Sequence, residues 1–251
     1  MLLLQKSALG RFSFAALKNS TVLCFLHWGA VFLFLFLSGC SSGTLLSDVT
    51  GALYKQQFGS GVDATLNAPL NSAFRYLRIE ATGGRSALLV LGYIDPHPKG
   101  DIEVWYSADK EVVKLQNGRI VGTAGLPVDW RNVHFSNTPP GWEDVKLAPQ
   151  TVLRSRDEAP GYRYGIADQL TVEKFAGTPA IALPQTLSSL MARRYTWFRE
   201  SSTNVGRHAL PASWYAVATY HGSQAVVYSF QCLEPQFCLS MQRWPVEKEP
   251  S

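Results

Sequence analysis

The sequence is poor in the residues that reactive chemistry needs. Its 251 residues hold four cysteines and five histidines, and none of them forms a C-x-x-C pair or an H-E-x-x-H zinc motif. A P-loop, a G-x-G-x-x-G fingerprint and a G-x-S-x-G elbow are also missing. His97, His134, His208 and His221 are too dispersed for metal-ligand spacing, so no metal and no cofactor is expected. Charged residues make up only 17% of the chain against 46% hydrophobic and 12% aromatic, which excludes a disordered polyelectrolyte. The formal net charge of +4 is small, and part of it is local to the N-terminus.

No acidic residue precedes Asp48, while Lys6, Arg11 and Lys18 stand before the uninterrupted apolar run Thr21 to Leu37. That arrangement is an export leader. Removing its three bases leaves 20 Lys and Arg against 19 Asp and Glu, a balance of about +1 that offers no footprint for nucleic acid. Three outcomes are open at the end of the leader. A transmembrane anchor needs roughly 20 apolar residues, and this run is at the short limit. A secretory signal ends in an Ala-x-Ala-like site. The run ends instead in Leu37-Ser38-Gly39-Cys40, followed by Ser41, Ser42 and Gly43. This reads as a lipobox: Leu37, Ser38 and Gly39 fit the signal peptidase, and the Cys40 thiol accepts diacylglycerol, with further acylation such as palmitate on the new N-terminus. Residues 1–39 are therefore expected as a lipoprotein signal peptide and residues 40–251 as a single periplasmic domain. One acyl chain holds a protein only marginally to a bilayer, so stable anchoring uses more than one. Ser41 rather than Asp after the cysteine points to the outer membrane, with the domain facing the periplasm.

With Cys24 lost with the leader and Cys40 lipidated, Cys232 and Cys238 remain as an even pair in an oxidising compartment. They are expected to form a disulfide stapling a strand turn. A redox site is the sharper alternative, but the spacing does not suit it.

The mature chain reads as mainly β, an antiparallel sandwich or barrel-like sheet with an N-terminal helix and one or two short helices. The helix is expected at Leu45 to Phe58, where Leu45, Val49 and Leu53 share a face and Gly59 follows as a stop. A second short helix is expected at Thr186 to Arg194. Strands are expected at Tyr76 to Ala81, Ala87 to Ile94, Ile102 to Tyr106, Val112 to Leu115, Arg119 to Thr123, Tyr195 to Arg199, Trp214 to Tyr220 and Ala225 to Phe230. Asn117-Gly118 marks a two-residue type I′ hairpin, pairing Gln116 with Arg119, Leu115 with Ile120 and Val113 with Gly122. Val113 and Leu115 then face the core, and Lys114 and Gln116 point outwards. Ala87 to Leu91 is apolar on both faces and fits a central strand covered on both sides.

Candidate chemistry is sparse. A glycosidase would use two carboxylates about 5–10 Å apart, for which Asp101 with Glu103 or Glu143 with Asp144 are the sequence candidates. Adjacent carboxylates in a strand point to opposite faces, and no enzymatic activity is expected. Sugar binding would use aromatic rings: Trp130 and Trp142 flank the loop segment Asn137 to Gly141, with Asp129, Arg131 and Asn132 nearby. Aromatic residues in a β-protein also serve as core filling.

Val90-Leu91-Gly92-Tyr93-Ile94, Trp105, Asn117-Gly118-Arg119-Ile120 and Thr123-Ala124-Gly125-Leu126, in that order after a lipobox, resemble the YjbF/GfcB family of bacterial lipoproteins. The resemblance runs from the first helix to about Asp129. Near the C-terminus Tyr228-Ser229-Phe230 and Ser240-Met241-Gln242 fit the family's last strands, with the Cys232 to Cys238 loop in place of its tight turn. The resemblance implies an accessory protein of exopolysaccharide or group-four capsule export, working beside an outer-membrane barrel protein and a periplasmic partner, without enzymatic activity or cofactor. Within it, Trp105 and Arg119 join Trp130 and Trp142 as possible contacts to glycan or partner. The alternative for Trp105 and Arg119 is a role in holding the fold, with Arg119 bonded to a carboxylate near the hairpin.

Overall fold

The computed structural model describes residues 69–83, 86–145, 148–187, 189–204, 209–220 and 223–246. All of them belong to one compact unit, Leu46–Ser251. The expected helix at Leu45 to Phe58 and the lipobox residues Leu37, Ser38, Gly39 and Cys40 lie outside the described residues.

Twelve strands follow one another: β1 (Tyr76–Ala81), β2 (Ser86–Asp95), β3 (Ile102–Tyr106), β4 (Val112–Gln116), β5 (Arg119–Ala124), β6 (Asp129–Phe135), β7 (Gln150–Ala159), β8 (Arg163–Phe175), β9 (Thr196–Thr203), β10 (Ser213–Tyr220), β11 (Ser223–Glu234) and β12 (Phe237–Trp244). A short helix, α1 (Ser189–Arg194), stands between β8 and β9 and fills the last part of the second expected helix. Every strand pair is antiparallel, and the sheet order is β5-β4-β3-β2-β1-β12-β11-β10-β9-β8-β7-β6. Read as a ring, this is an up-and-down meander in which the first and last strands pair, with Tyr76 opposite Trp244 and Ala81 opposite Leu239. The result is a nearly closed, barrel-shaped sheet of the expected mainly β class. Its one unladdered seam falls between the consecutive strands β5 and β6.

Side chains stitch that seam. Asp129 accepts from Thr123 Oγ1 at 3.0 Å and from the backbone N–H groups of Gly125 and Leu126 at 3.0 and 3.2 Å. Trp130 N–H donates to Thr123 Oγ1, and Lys99 Nζ donates to the Phe135 carbonyl at 2.6 Å. On β5, Ile120 N–H donates to Gln231 Oε1 at 3.0 Å. Three backbone groups that these edge strands would otherwise offer to a partner, the Ile120 and Trp130 N–H groups and the Phe135 carbonyl, are in this way bonded to side chains of the same chain.

The β4–β5 hairpin turns at Asn117 and Gly118, with φ of 48° and 77°, as the type I′ turn requires. Gln116 opposes Arg119 and Leu115 opposes Ile120 as expected. Two details differ. A bulge leaves Val121 unpaired, so Gly122 opposes Lys114 rather than Val113. Gln116 is buried rather than outward, because its amide donates to the Gly100 carbonyl and contacts His97 Nδ1 at the neighbouring loop. Gly118 also lies against β11: a Cβ there would come 2.5 Å from Val226 Cγ2. Gly92 occupies the β2 bulge, where a side chain would run into the Tyr106 ring.

Strand β2 is covered on both faces in its first half, with Leu88 outward and Leu89 inward both buried. Beyond Gly92 it emerges, and Tyr93 and Ile94 are exposed. The inner face carries Leu77, Ile79, Leu89, Trp105, Val113, Leu115, Ile120, Trp130, Leu239 and Met241 in one apolar cluster. At roughly 200 Å² per indole and 25 cal/mol per Å², each buried tryptophan supplies about 5 kcal/mol of transfer free energy. A second layer lies on the outer face, where Leu187 and Ala192 of the β8–β9 connection pack on Trp197, Ala216 and Tyr228. Strands β6 (Asp129–Phe135), β7, β8 and β12 were not among the strands expected from local patterning.

Candidate functional site

The four residues expected as contacts, Trp105, Arg119, Trp130 and Trp142, are all buried, with Trp105 and Trp130 0% and 3% exposed. They form no surface groove, because the closing sheet turns each of them inward. Trp130 Nε1 donates to the Leu233 carbonyl at 3.0 Å, and the guanidinium carbons of Arg154 and Arg156 stand 4.5 and 4.6 Å from its ring centroid. Trp142 comes in from the β6–β7 connection. Its Nε1 donates to the Asn117 carbonyl at 3.0 Å, and its ring packs 4.6 Å from Tyr215 and 5.1 Å from Phe198. Arg119 is bonded to a carboxylate, but the partner is Glu200 on β9, distant in sequence, at 2.9 Å. Its guanidinium carbon lies 4.0 Å from the Trp142 centroid. Gln231 completes the group: its amide nitrogen donates to the Gly118 carbonyl and to Ser229 Oγ, and its oxygen lies 3.1 Å from Tyr215 Oη. Burial and the nearby Glu200 push the Tyr215 phenol far above its ordinary range.

A second polar cluster fills the β6–β8 side of the interior. Asp168, 1% exposed, accepts from Arg154 Nε and Nη2 at 3.1 and 2.8 Å, from Arg156 Nε at 2.8 Å and from Asn204 Nδ2 at 3.1 Å. Arg156 and Arg163 also pair with Glu158. Burial alone would raise the Asp168 carboxyl, but the charges and hydrogen bonds of Arg154 and Arg156 outweigh it, and the net shift is downward. Desolvation lowers the Arg156 pKa in turn. These clusters, together with the indoles, make the barrel a packed core rather than a conduit.

One end of the barrel gathers the β1–β2, β3–β4, β5–β6, β7–β8, β9–β10 and β11–β12 connections. A cavity of about 220 Å³ opens there, lined by Ile79, Leu89, Val113, Leu239 and Phe237, with Asp109 at its edge. The same end carries the Cys232–Cys238 disulfide, which joins directly opposed residues of β11 and β12. It also carries the β7–β8 tip, where Tyr162 and Tyr164 are 77% and 71% exposed. Sequence reading missed these two tyrosines. The signal was Pro160-Gly161 before an aromatic pair, a turn that leaves its rings no core to enter. The chain leads into β1 from the opposite end, where Tyr76 Oη donates to the Asn71 carbonyl.

The carboxylate candidates lie outside both buried clusters. Glu103 is engaged with Arg243 at 2.6 Å, and Asp101, Glu143 and Asp144 are exposed. Among the described residues no group of three or more His, Cys, Asp or Glu side chains is placed to hold a metal ion.

The family model described as "Group 4 capsule polysaccharide lipoprotein gfcB, YjbF" matches residues 68–235. The chain belongs to this family. The match runs from just before β1 to the end of β11, so it covers the barrel almost whole and extends well past Asp129. In the crystal structure of the hypothetical lipoprotein YmcC from Escherichia coli K12 the fold recurs, with a TM-score of 0.59 at 18% identity, over 84% of this chain and 100% of that one. No curated protein matches the chain.

Proposed function

We propose that this chain is an outer-membrane lipoprotein, tethered through acylated Cys40 and facing the periplasm, that serves as a non-enzymatic assembly module in exopolysaccharide or capsule export. The observation that carries the reading is the capsule-lipoprotein family match over the barrel. The packed interior supports it: a barrel filled by Trp105, Trp130, Trp142 and buried ion pairs acts through its surface and not as a passage for polymer. Because side chains occupy the seam between β5 and β6, docking by a sheet face or loop end is favoured over strand addition. The partners are an outer-membrane barrel protein and periplasmic export components. Tethering raises the module's effective concentration beside them, so modest pairwise affinity suffices.

The test is a clean deletion complemented by wild type or by Cys40→Ser, with surface polysaccharide measured and membrane fractions probed. Polymer loss rescued only by the lipidated form is the expected result. Unchanged polymer in the deletion overturns the export role, and full membrane retention of Cys40→Ser after a high-salt wash overturns lipidation. A second reading, direct contact with the polymer, is favoured by the exposed tyrosines of the β7–β8 tip.

A further inference from the structure

Tyr162 and Tyr164 are the most exposed large apolar side chains among the described residues. Tyr162 has φ of +50°, a left-handed conformation that a bulky residue adopts at a cost and that glycine or asparagine would adopt more easily. The backbone at this position therefore argues against tyrosine, and no packing contact accounts for it, since the ring is 77% in solvent.

The surroundings are polar and ordered. Arg131 on β6 is exposed and stands opposite Asp157 on β7. Asp157 is fixed by Asn132 Nδ2 at 2.7 Å and by the Gly165 N–H at 2.8 Å, and these bonds hold its carboxyl below the usual range. Arg163, between the two tyrosines, has a 40% exposed side chain and pairs with Glu158. A carboxylate, an amide and guanidinium groups thus lie beside two open rings.

We propose that the β7–β8 tip is a glycan-contact site, in which Tyr162 and Tyr164 receive the C–H faces of sugar rings while Arg131, Asn132 and Asp157 bond their hydroxyls. The inference rests on the polymer-contact reading and assigns it to residues. The chemistry selects this occupant. An interfacial lipid anchor uses Leu, Phe or Trp above a basic face, whereas the tip from Ala159 to Gly165 holds none of these. A protein hot spot sits at the centre of a wider apolar patch, whereas the exposed neighbours on β8 are Gly165, Ala167 and Gln169, and the exposed Leu153 of β7 stands opposite Gln169, five residues along the strand from Tyr164. Flat rings set among hydroxyl-reading groups suit a carbohydrate, and the family described for capsule polysaccharide supplies one.

The experiment is affinity electrophoresis of the purified lipidated protein in detergent, through native gels containing surface polysaccharide isolated from the bacterium that makes it, with dextran gels for comparison. Four proteins are run: wild type, Tyr162→Gly, Tyr164→Thr and Tyr164→Phe. Tyr162→Gly relieves the left-handed backbone, so its melting temperature is expected to hold or rise while its retardation falls. Retardation of wild type, a tenfold or greater weakening in Tyr162→Gly and Tyr164→Thr, and retention in Tyr164→Phe support the site. If wild type is retarded and the glycine and threonine variants are retarded equally, the tip assignment is overturned while polymer contact stands. If wild type is not retarded, the polymer-contact reading itself falls and the site with it. Loss in Tyr164→Phe equal to that in Tyr164→Thr overturns ring stacking.

Discussion

Replacing Asp168 by Asn tests whether the barrel interior is sealed. Asp168 is 1% exposed and is the shared acceptor of Arg154 and Arg156, which are 7% and 4% exposed. The amide keeps the shape but removes the charge and turns an N–H₂ group toward two guanidiniums. Breaking a buried ion pair from one side costs about 3–5 kcal/mol, because the partner charge stays buried without compensation. For a domain of this size about 2–4 °C accompanies each kcal/mol, so the melting temperature should fall by about 6–20 °C. The assay is urea and thermal unfolding followed by circular dichroism on protein expressed from residue 41 onward. Glu173→Gln supplies the contrast: its pair with Arg199 is 3.4 Å long and its side chains are 32% and 42% exposed, so the expected loss is about 0–1 kcal/mol. The pH dependence adds a signature. The Asp168 pKa is depressed in the folded state, so its stabilisation is present above the unfolded carboxylate value of about 3.9 and is lost as pH falls through the lower native value. The gap between wild type and Asp168→Asn should accordingly narrow below about pH 4. A loss under 1 kcal/mol at neutral pH would refute the reasoning, since it would mean that water reaches the Arg154 and Arg156 guanidiniums.

Two further outcomes are expected for the fold. Gly118→Ala should destabilise by about 2–4 kcal/mol, from the positive φ and from overlap with Val226, and Val226→Ala in the same background should recover part of that loss in a double-mutant cycle. Reduction of Cys232–Cys238 should cost about 2 kcal/mol, the small value expected of a short loop, and leave far-UV circular dichroism unchanged at room temperature; a collapse of the β signal on reduction would contradict a stapling role.

The strands that local patterning found and those it missed differ in what they turn inward. On β1 to β5 the inner face is Leu77, Ile79, Leu89, Trp105, Val113, Leu115 and Ile120, so apolar alternation marks the core side and the reading succeeds. On β7 the inward residues are Val152, Arg154, Arg156 and Glu158, while Leu153 is 53% exposed. Its pattern is inverted, because the charges are neutralised by Asp168 and Arg163 of the adjacent β8 and by one another along β7 rather than facing water. β8 offers Ile166, Leu170 and Val172 with polar residues between them, a usable alternation, but Asp168 interrupts the inner row. The candidate site suffered from the same effect. Trp130 and Trp142 flank a polar loop, and only the meeting of β6, β7 and β9 shows that their rings point away from it.

By itself the sequence determined the pairing of Cys232 with Cys238, the Asn117-Gly118 turn and the mainly β class, and it is the ground for the proposed leader ending at Cys40. All of these depend on neighbours along the chain, where spacing, charge and positive-φ preference act directly. The tertiary structure decided which strand meets which, and with that the closure of β1 on β12 and the stitching of the β5–β6 seam. It also decided that Arg119, Arg154 and Arg156 are interior cations while Tyr162 and Tyr164 are surface rings. Those assignments need partners far away in sequence, such as Glu200 for Arg119 across 81 residues. An arginine buried against a carboxylate and one waving in water read the same until the fold brings the carboxylate to it.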